Sequence, residues 1–84
     1  MRKVRLGMEN KVYDIVAKNF NMATDSINSK TGPSDIPLWD SLGHMTLISS
    51  IEQSFNIEFE FEEMFEVVSV QSIIDILNRK IEQK

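Results

Sequence analysis

The chain has 84 residues and a mass of 9.7 kDa, enough for one domain and too little for two, since a single core takes roughly 50–200 residues. It has no cysteine and one histidine, His44, which excludes disulfides, thiolate metal ligands, a catalytic thiol and a structural zinc site. Its longest apolar runs are two or three residues, against the roughly 20 that a membrane-spanning helix needs, and no apolar stretch follows Arg2, Lys3 and Arg5 as a signal peptide would require. A cytoplasmic location is the resulting expectation.

The net charge of −4 is unevenly spread: residues 1–30 hold six Lys/Arg against three Asp/Glu, and residues 31–84 hold three against ten. Glu52, Glu58, Glu60, Glu62, Glu63 and Glu66 fall in one stretch without a base among them. That part of the chain repels nucleic acid and anionic lipid, so neither is an expected partner. Its acids either complement a basic partner surface or solvate a helix face.

Residues 1–7 read as a short basic N-terminal extension to a domain spanning 8–84. Met8, Val12, Ile15, Val16 and Phe20 then make the stripe of an amphipathic helix over about 8–20, with Glu9, Lys11, Asp14 and Lys18 off the stripe. Asn21 to Leu38 is rich in Asn, Ser, Thr and Asp, carries Gly32, Pro33 and Pro37, and has no sustained period. Such a length of loop is unusual in a small domain, so it is either functional or holds a helical turn, with Ile27, Ile36 and Leu38 pinning it to the core.

Pro37 bars a helix from running through it, and Asp40 or Ser41 offers an N-cap ahead of Leu42, Met45, Leu47, Ile48, Ile51 and Phe55. A second helix is therefore expected over about 41–55. Asn56 to Glu60 link it to a short acidic helical segment, Phe61 to Glu66, and Ile57 to Phe61 alternate too briefly for a strand. Ser69 caps a last stripe of Val70, Ile73, Ile74, Leu77 and Ile81, with Arg79, Lys80 and Lys84 near the negative end of the helix dipole. The fold class is all-α: a small four-helix bundle of three longer helices and one short one, with a long loop after the first.

No catalytic constellation accompanies these elements. Ser41 and His44 stand three apart on one helix, but no acid is placed to orient the imidazole and no oxyanion-hole pattern is visible. Gly7, Gly32 and Gly43 are isolated and make no phosphate loop. The clustered glutamates lack the ligand spacing of a calcium loop, so no metal site is expected.

Leu38-Trp39-Asp40-Ser41-Leu42 opens a helix directly after a long irregular loop. It resembles the attachment motif of the acyl carrier protein family, whose core is Asp-Ser-Leu. The register continues through Leu47, Ile48, Ile51, Glu52 and Phe55, the acidic short segment, and Val70-Gln71, so the resemblance covers about residues 8–80. It implies a non-catalytic carrier whose cofactor, 4′-phosphopantetheine from coenzyme A, is attached to Ser41. Its partners would be a phosphopantetheinyl transferase and acyl-loading, condensing or transferring enzymes, met by a monomer. Asp40 would cap the helix, serve transferase recognition, or both. Leu42 and Met45 would be partner contacts or core, and Trp39 a packing anchor sooner than a partner contact. Glu52, Glu62 and Glu63 join Asp40, Leu42 and Met45 as candidate partner-recognition residues.

The resemblance also has departures. Carriers of bacterial fatty-acid synthesis usually follow Asp-Ser-Leu with an acid and place more acids down the helix, whereas Gly43, His44, Thr46, Gln53 and Ser54 occupy this stretch. That favours a dedicated carrier in a specialised lipid, polyketide or aminoacyl pathway. A peptidyl or aminoacyl carrier of nonribosomal peptide type and a helical adaptor never pantetheinylated remain as alternatives. Gly43 is either tolerated near the helix end or gives the arm clearance, and Phe61 either fills the core beside Phe59 and Phe65 or narrows an acyl-chain cavity.

Overall fold

A computed structural model describes the backbone of residues 2–82 and the side chains of residues 7–81. Its helices are α1 (Arg2–Asn19), α2 (Ser41–Phe55), α3 (Phe61–Glu66) and α4 (Val70–Glu82), with a 3₁₀ turn at Thr24–Ser26 inside the long loop. The fold is the expected small all-α bundle. α2 and α3 have the expected bounds, but α1 begins at Arg2, well before the expected start near residue 8. Adding a turn to a helix already nucleated by its packed stripe costs little, and this explains the early start.

Met8, Val12, Ile15 and Val16 of α1 and Phe20 just past its end are buried, as are Leu47, Ile48 and Ile51 of α2 and Val70, Ile73, Ile74, Ile76 and Leu77 of α4. α1 packs on both α2 and α4. Ile76 joins the core from outside the expected stripe, whereas Ile81, within it, is exposed. Lys84 lies outside the described residues. α1 and α2 both end on an asparagine in the left-handed region, Asn21 at φ 56° and Asn56 at φ 55°. In each case the next amide reaches back five residues: Met22 N–H donates to the Ala17 carbonyl at 2.9 Å, and Ile57 N–H to Glu52 at 3.1 Å. This closure satisfies terminal carbonyls and turns the chain sharply.

The long loop is a structural strap. Its Ser29 and Thr31 carbonyls accept the N–H groups of Gln71 at 2.9 Å and Val70 at 2.8 Å, taking up donors that the start of α4 leaves free. Ser69 completes that start, its Oγ accepting the Ser72 N–H at 3.3 Å. Gly32 lies so close to the Val68 carbonyl that a Cβ would collide with it. Ile27 and Ile36 pin the loop to the core as expected, but Leu38 does not, being 59% exposed. Trp39 takes the buried place beside it and stacks on Phe20 at 5.4 Å between centroids. The Trp39 N–H donates to the Ile36 carbonyl at 3.0 Å, closing a tight turn that leaves Leu38 at its exposed corner while Ile36 and Trp39 face the core.

α3 has only six residues, none of them fully buried; the half-buried Met64 packs against the core and polar contacts hold the rest. Glu60 and Glu63 form a reciprocal capping box. Glu63 pairs with Lys80 at 2.7 Å and Glu66 with Arg79 at 3.0 Å, tying α3 to α4. Phe61 and Phe65 do not enter the core with Phe59. They are 72% and 70% exposed and pack edge to face on each other at 5.1 Å.

Candidate functional site

The loop and the first turn of α2 meet at Ser41. Asp40 is the N-cap: its backbone is extended, and its Oδ1 accepts the Gly43 N–H at 2.9 Å. Its carbonyl accepts the His44 N–H at 2.7 Å. Ser41 is therefore the first residue of the helix, and it is exposed. The N–H groups of Ser41 and Leu42, ahead of the first intrahelical bonds, lie at the positive end of the dipole.

Gly43 answers a packing demand. A Cβ there would collide with the Leu38 carbonyl oxygen and come within 3.0 Å of the Phe20 ring. The glycine lets α2 seat directly on the backbone of the loop that delivers Ser41, so neither its place near a helix end nor clearance for an arm is needed to account for it.

His44 does not face Ser41 as a base. Trp39 Nε1–H can only donate, and it donates to His44 Nδ1 at 2.9 Å, so the ring proton is on Nε2. Nε2–H in turn donates to the Met64 carbonyl at 2.8 Å. The imidazole thus links the loop, α2 and α3, a contact hidden from the sequence because its acceptor is a backbone atom twenty residues away.

The candidate recognition residues separate into two groups. Leu42 is 81% exposed and Met45 53%, both on the outer face of α2 with Thr46, Ser49 and Gln53. That face carries no charge. Glu62 and Asp40 are exposed as well. Glu52 and Glu63 are engaged within the fold: Glu52 Oε2 accepts the Phe59 N–H at 2.8 Å, and Glu63 Oε1 accepts the Glu60 N–H at 2.7 Å and faces Lys80. Burial alone would push the Glu63 carboxyl up, but the Lys80 hydrogen bond, the Glu60 amide and the charges of Lys80 and Arg79 together hold it below its ordinary value. Of the six acids between Glu52 and Glu66, only Glu58 and Glu62 make no intramolecular side-chain bond among the described residues.

An exposed serine at N1 of a helix, with two free amides and the dipole behind it, fits a phosphodiester. A negative group there gains about 0.3–1 kcal/mol. Comparison with known proteins points to the same group: the family described as "Phosphopantetheine attachment site" matches residues 10–77. The acyl carrier protein of Buchnera aphidicola subsp. Baizongia pistaciae is 32% identical over 88% of this chain and 95% of its own length. Those of Buchnera aphidicola subsp. Schizaphis graminum and Chlorobium phaeobacteroides are 33% and 30% identical over 87% of this chain, covering 92% and 94% of theirs. With the helical bundle and the match across nearly all of its length, the chain belongs to the acyl carrier protein family, which bears a covalently attached 4′-phosphopantetheine.

Proposed function

We propose that Ser41 is the attachment residue and that the protein is a non-catalytic, monomeric cytoplasmic carrier serving a specialised lipid, polyketide or aminoacyl pathway. The observation that carries the site is the exposed Ser41 hydroxyl at the capped, positive end of α2. A phosphopantetheinyl transferase would join Ser41 Oγ to the phosphoryl end of the coenzyme A arm, with the serine proton lost and the nucleotide portion leaving. The attached arm supplies a terminal thiol on which acyl groups are held as thioesters. Asp40 fixes the turn that presents Ser41, its carboxylate accepting the Gly43 amide. The chain has no cysteine, so it offers no competing thiol.

The pathway assignment is supported by the neutral outer face of α2. A partner reading Leu42, Met45, Thr46, Ser49 and Gln53 needs an apolar or neutral surface there, with the exposed Glu58 and Glu62 left for any basic rim. Glu52 and Glu63, each bound internally, serve the fold first. An aminoacyl carrier of nonribosomal peptide type fits the same face.

Labelling with a fluorescent coenzyme A and a promiscuous transferase tests the attachment: wild type should take the label and Ser41→Ala should not. Offering the pantetheinylated protein to fatty-acid synthase enzymes tests the pathway. Loading and elongation as fast as on that system's own carrier would contradict a specialised role.

A further inference from the structure

An apolar group on a flexible arm at Ser41 has the bundle core close by, and removal of apolar surface from water draws it inward unless the seams beside Ser41 are closed. Two seams border the first turn of α2. On the α1 side, Phe20 and Trp39 stack, Trp39 is buried, and Gly43 sits against the Leu38 carbonyl with no room for a Cβ. On the α3 side, the seam is spanned by one continuous chain of hydrogen bonds, from Trp39 Nε1–H to His44 Nδ1 at 2.9 Å and from His44 Nε2–H to the Met64 carbonyl at 2.8 Å. The indole and imidazole rings are also near parallel, at 24° and 6.4 Å between centroids. Both ring nitrogens of His44 are committed, so the side chain is fixed in place between the loop and α3.

We propose that the Trp39–His44–Met64 chain is a latch that keeps cargo carried at Ser41 outside the bundle, so that this carrier takes short or polar acyl and aminoacyl groups that need no apolar shelter. The inference rests on Ser41 being the attachment residue. His44 acts in it as a positioning residue, through Trp39 and α3.

The test loads wild type with an octanoyl arm, using a promiscuous transferase and octanoyl-coenzyme A, and checks the mass gain before methyl spectra of the unmodified and loaded forms are compared. The core methyls of Leu47, Ile51 and Ile73 should keep their shifts on loading, and the Trp39 Nε1–H resonance should stay in place. In His44→Phe, which keeps a ring and loses both bonds, the same methyls should move when the octanoyl arm is added. Displaced core methyls in loaded wild type, or unmoved ones in a folded and loaded His44→Phe, would overturn the latch. Should His44→Phe not fold, Trp39→Phe, which strips His44 of its donor, provides the comparison with the same two outcomes. A wild-type chain that gains no mass overturns the attachment at Ser41, and the inference with it, so the two failures are told apart at the first step.

Discussion

At Gly43 two effects act in opposite directions. Alanine is favoured over glycine in a helix interior by about 1 kcal/mol, but a Cβ here meets the Leu38 carbonyl and the Phe20 ring. A backbone oxygen cannot rotate away, and overpacking of this kind costs about 1–3 kcal/mol. Gly43→Ala is therefore expected to lower the melting temperature, and a rise would mean that the loop yields. Asp40 separates capping from recognition. Asp40→Ala should cost about 1 kcal/mol in a denaturant titration, whereas Asp40→Asn keeps the cap oxygen and should retain the stability. If Asp40→Asn is also modified by the transferase at the wild-type rate, the acid is a cap alone. Asp40 and Ser41 were legible in the sequence because a cap and the helix it opens are neighbours along the chain. The roles of Gly43 and His44 were not, because one answers a carbonyl outside the helix and the other a carbonyl on α3.

α3 shows what the periodicity of a chain can and cannot specify. Its bounds were readable from the acidic run and the flanking residues, but a six-residue segment has too few turns to declare which side faces in. Phe59, Phe61 and Phe65 look alike as residue types, and the capping box and the pairs with Lys80 and Arg79 decide that only Phe59 is buried. The Glu66–Arg79 pair is about half exposed on both sides and contributes little. The Glu63–Lys80 pair is shielded, with 17% of each side chain exposed, and carries a pH dependence. Because the folded Glu63 carboxyl is held below its ordinary value, its contribution is complete above the usual glutamate range and is lost as pH falls through its lower folded value. Glu63→Gln should start less stable near neutrality and lose less on acidification. Parallel melting-temperature curves for the two proteins between neutral and acid pH would contradict this. At the same scale, the helical turn expected in the long loop is the 3₁₀ turn at Thr24–Ser26. The loop's service to α4 could not be read, because it uses backbone carbonyls.

Over the whole molecule, 34 × 28 × 20 Å in extent, the acidic stretch turns out to be largely internal bookkeeping of charge. Most of its carboxylates hold α3 and the α2–α3 link, and the outer face of α2 that follows Ser41, with Leu42, Met45, Thr46, Ser49 and Gln53, is left without charge. Leu42→Ala and Met45→Ala should each change stability by no more than about 0.5 kcal/mol, as exposed positions do, while slowing turnover with a partner enzyme. That slowing should depend little on salt, because no charged pair is removed; a large drop in melting temperature would return either residue to the core. The bundle, its core stripes and the seat of Ser41 were legible because they rest on spacing along single helices, whereas the outward turn of Leu38, Phe61 and Phe65 depends on contacts between elements. The proposed function rests on one hydroxyl, that of Ser41. Co-expression with a phosphopantetheinyl transferase followed by intact-mass measurement and fragmentation should show one added phosphopantetheine, located on Ser41 and missing from Ser41→Ala. An unmodified wild-type chain, or the same gain on Ser41→Ala, would contradict the account.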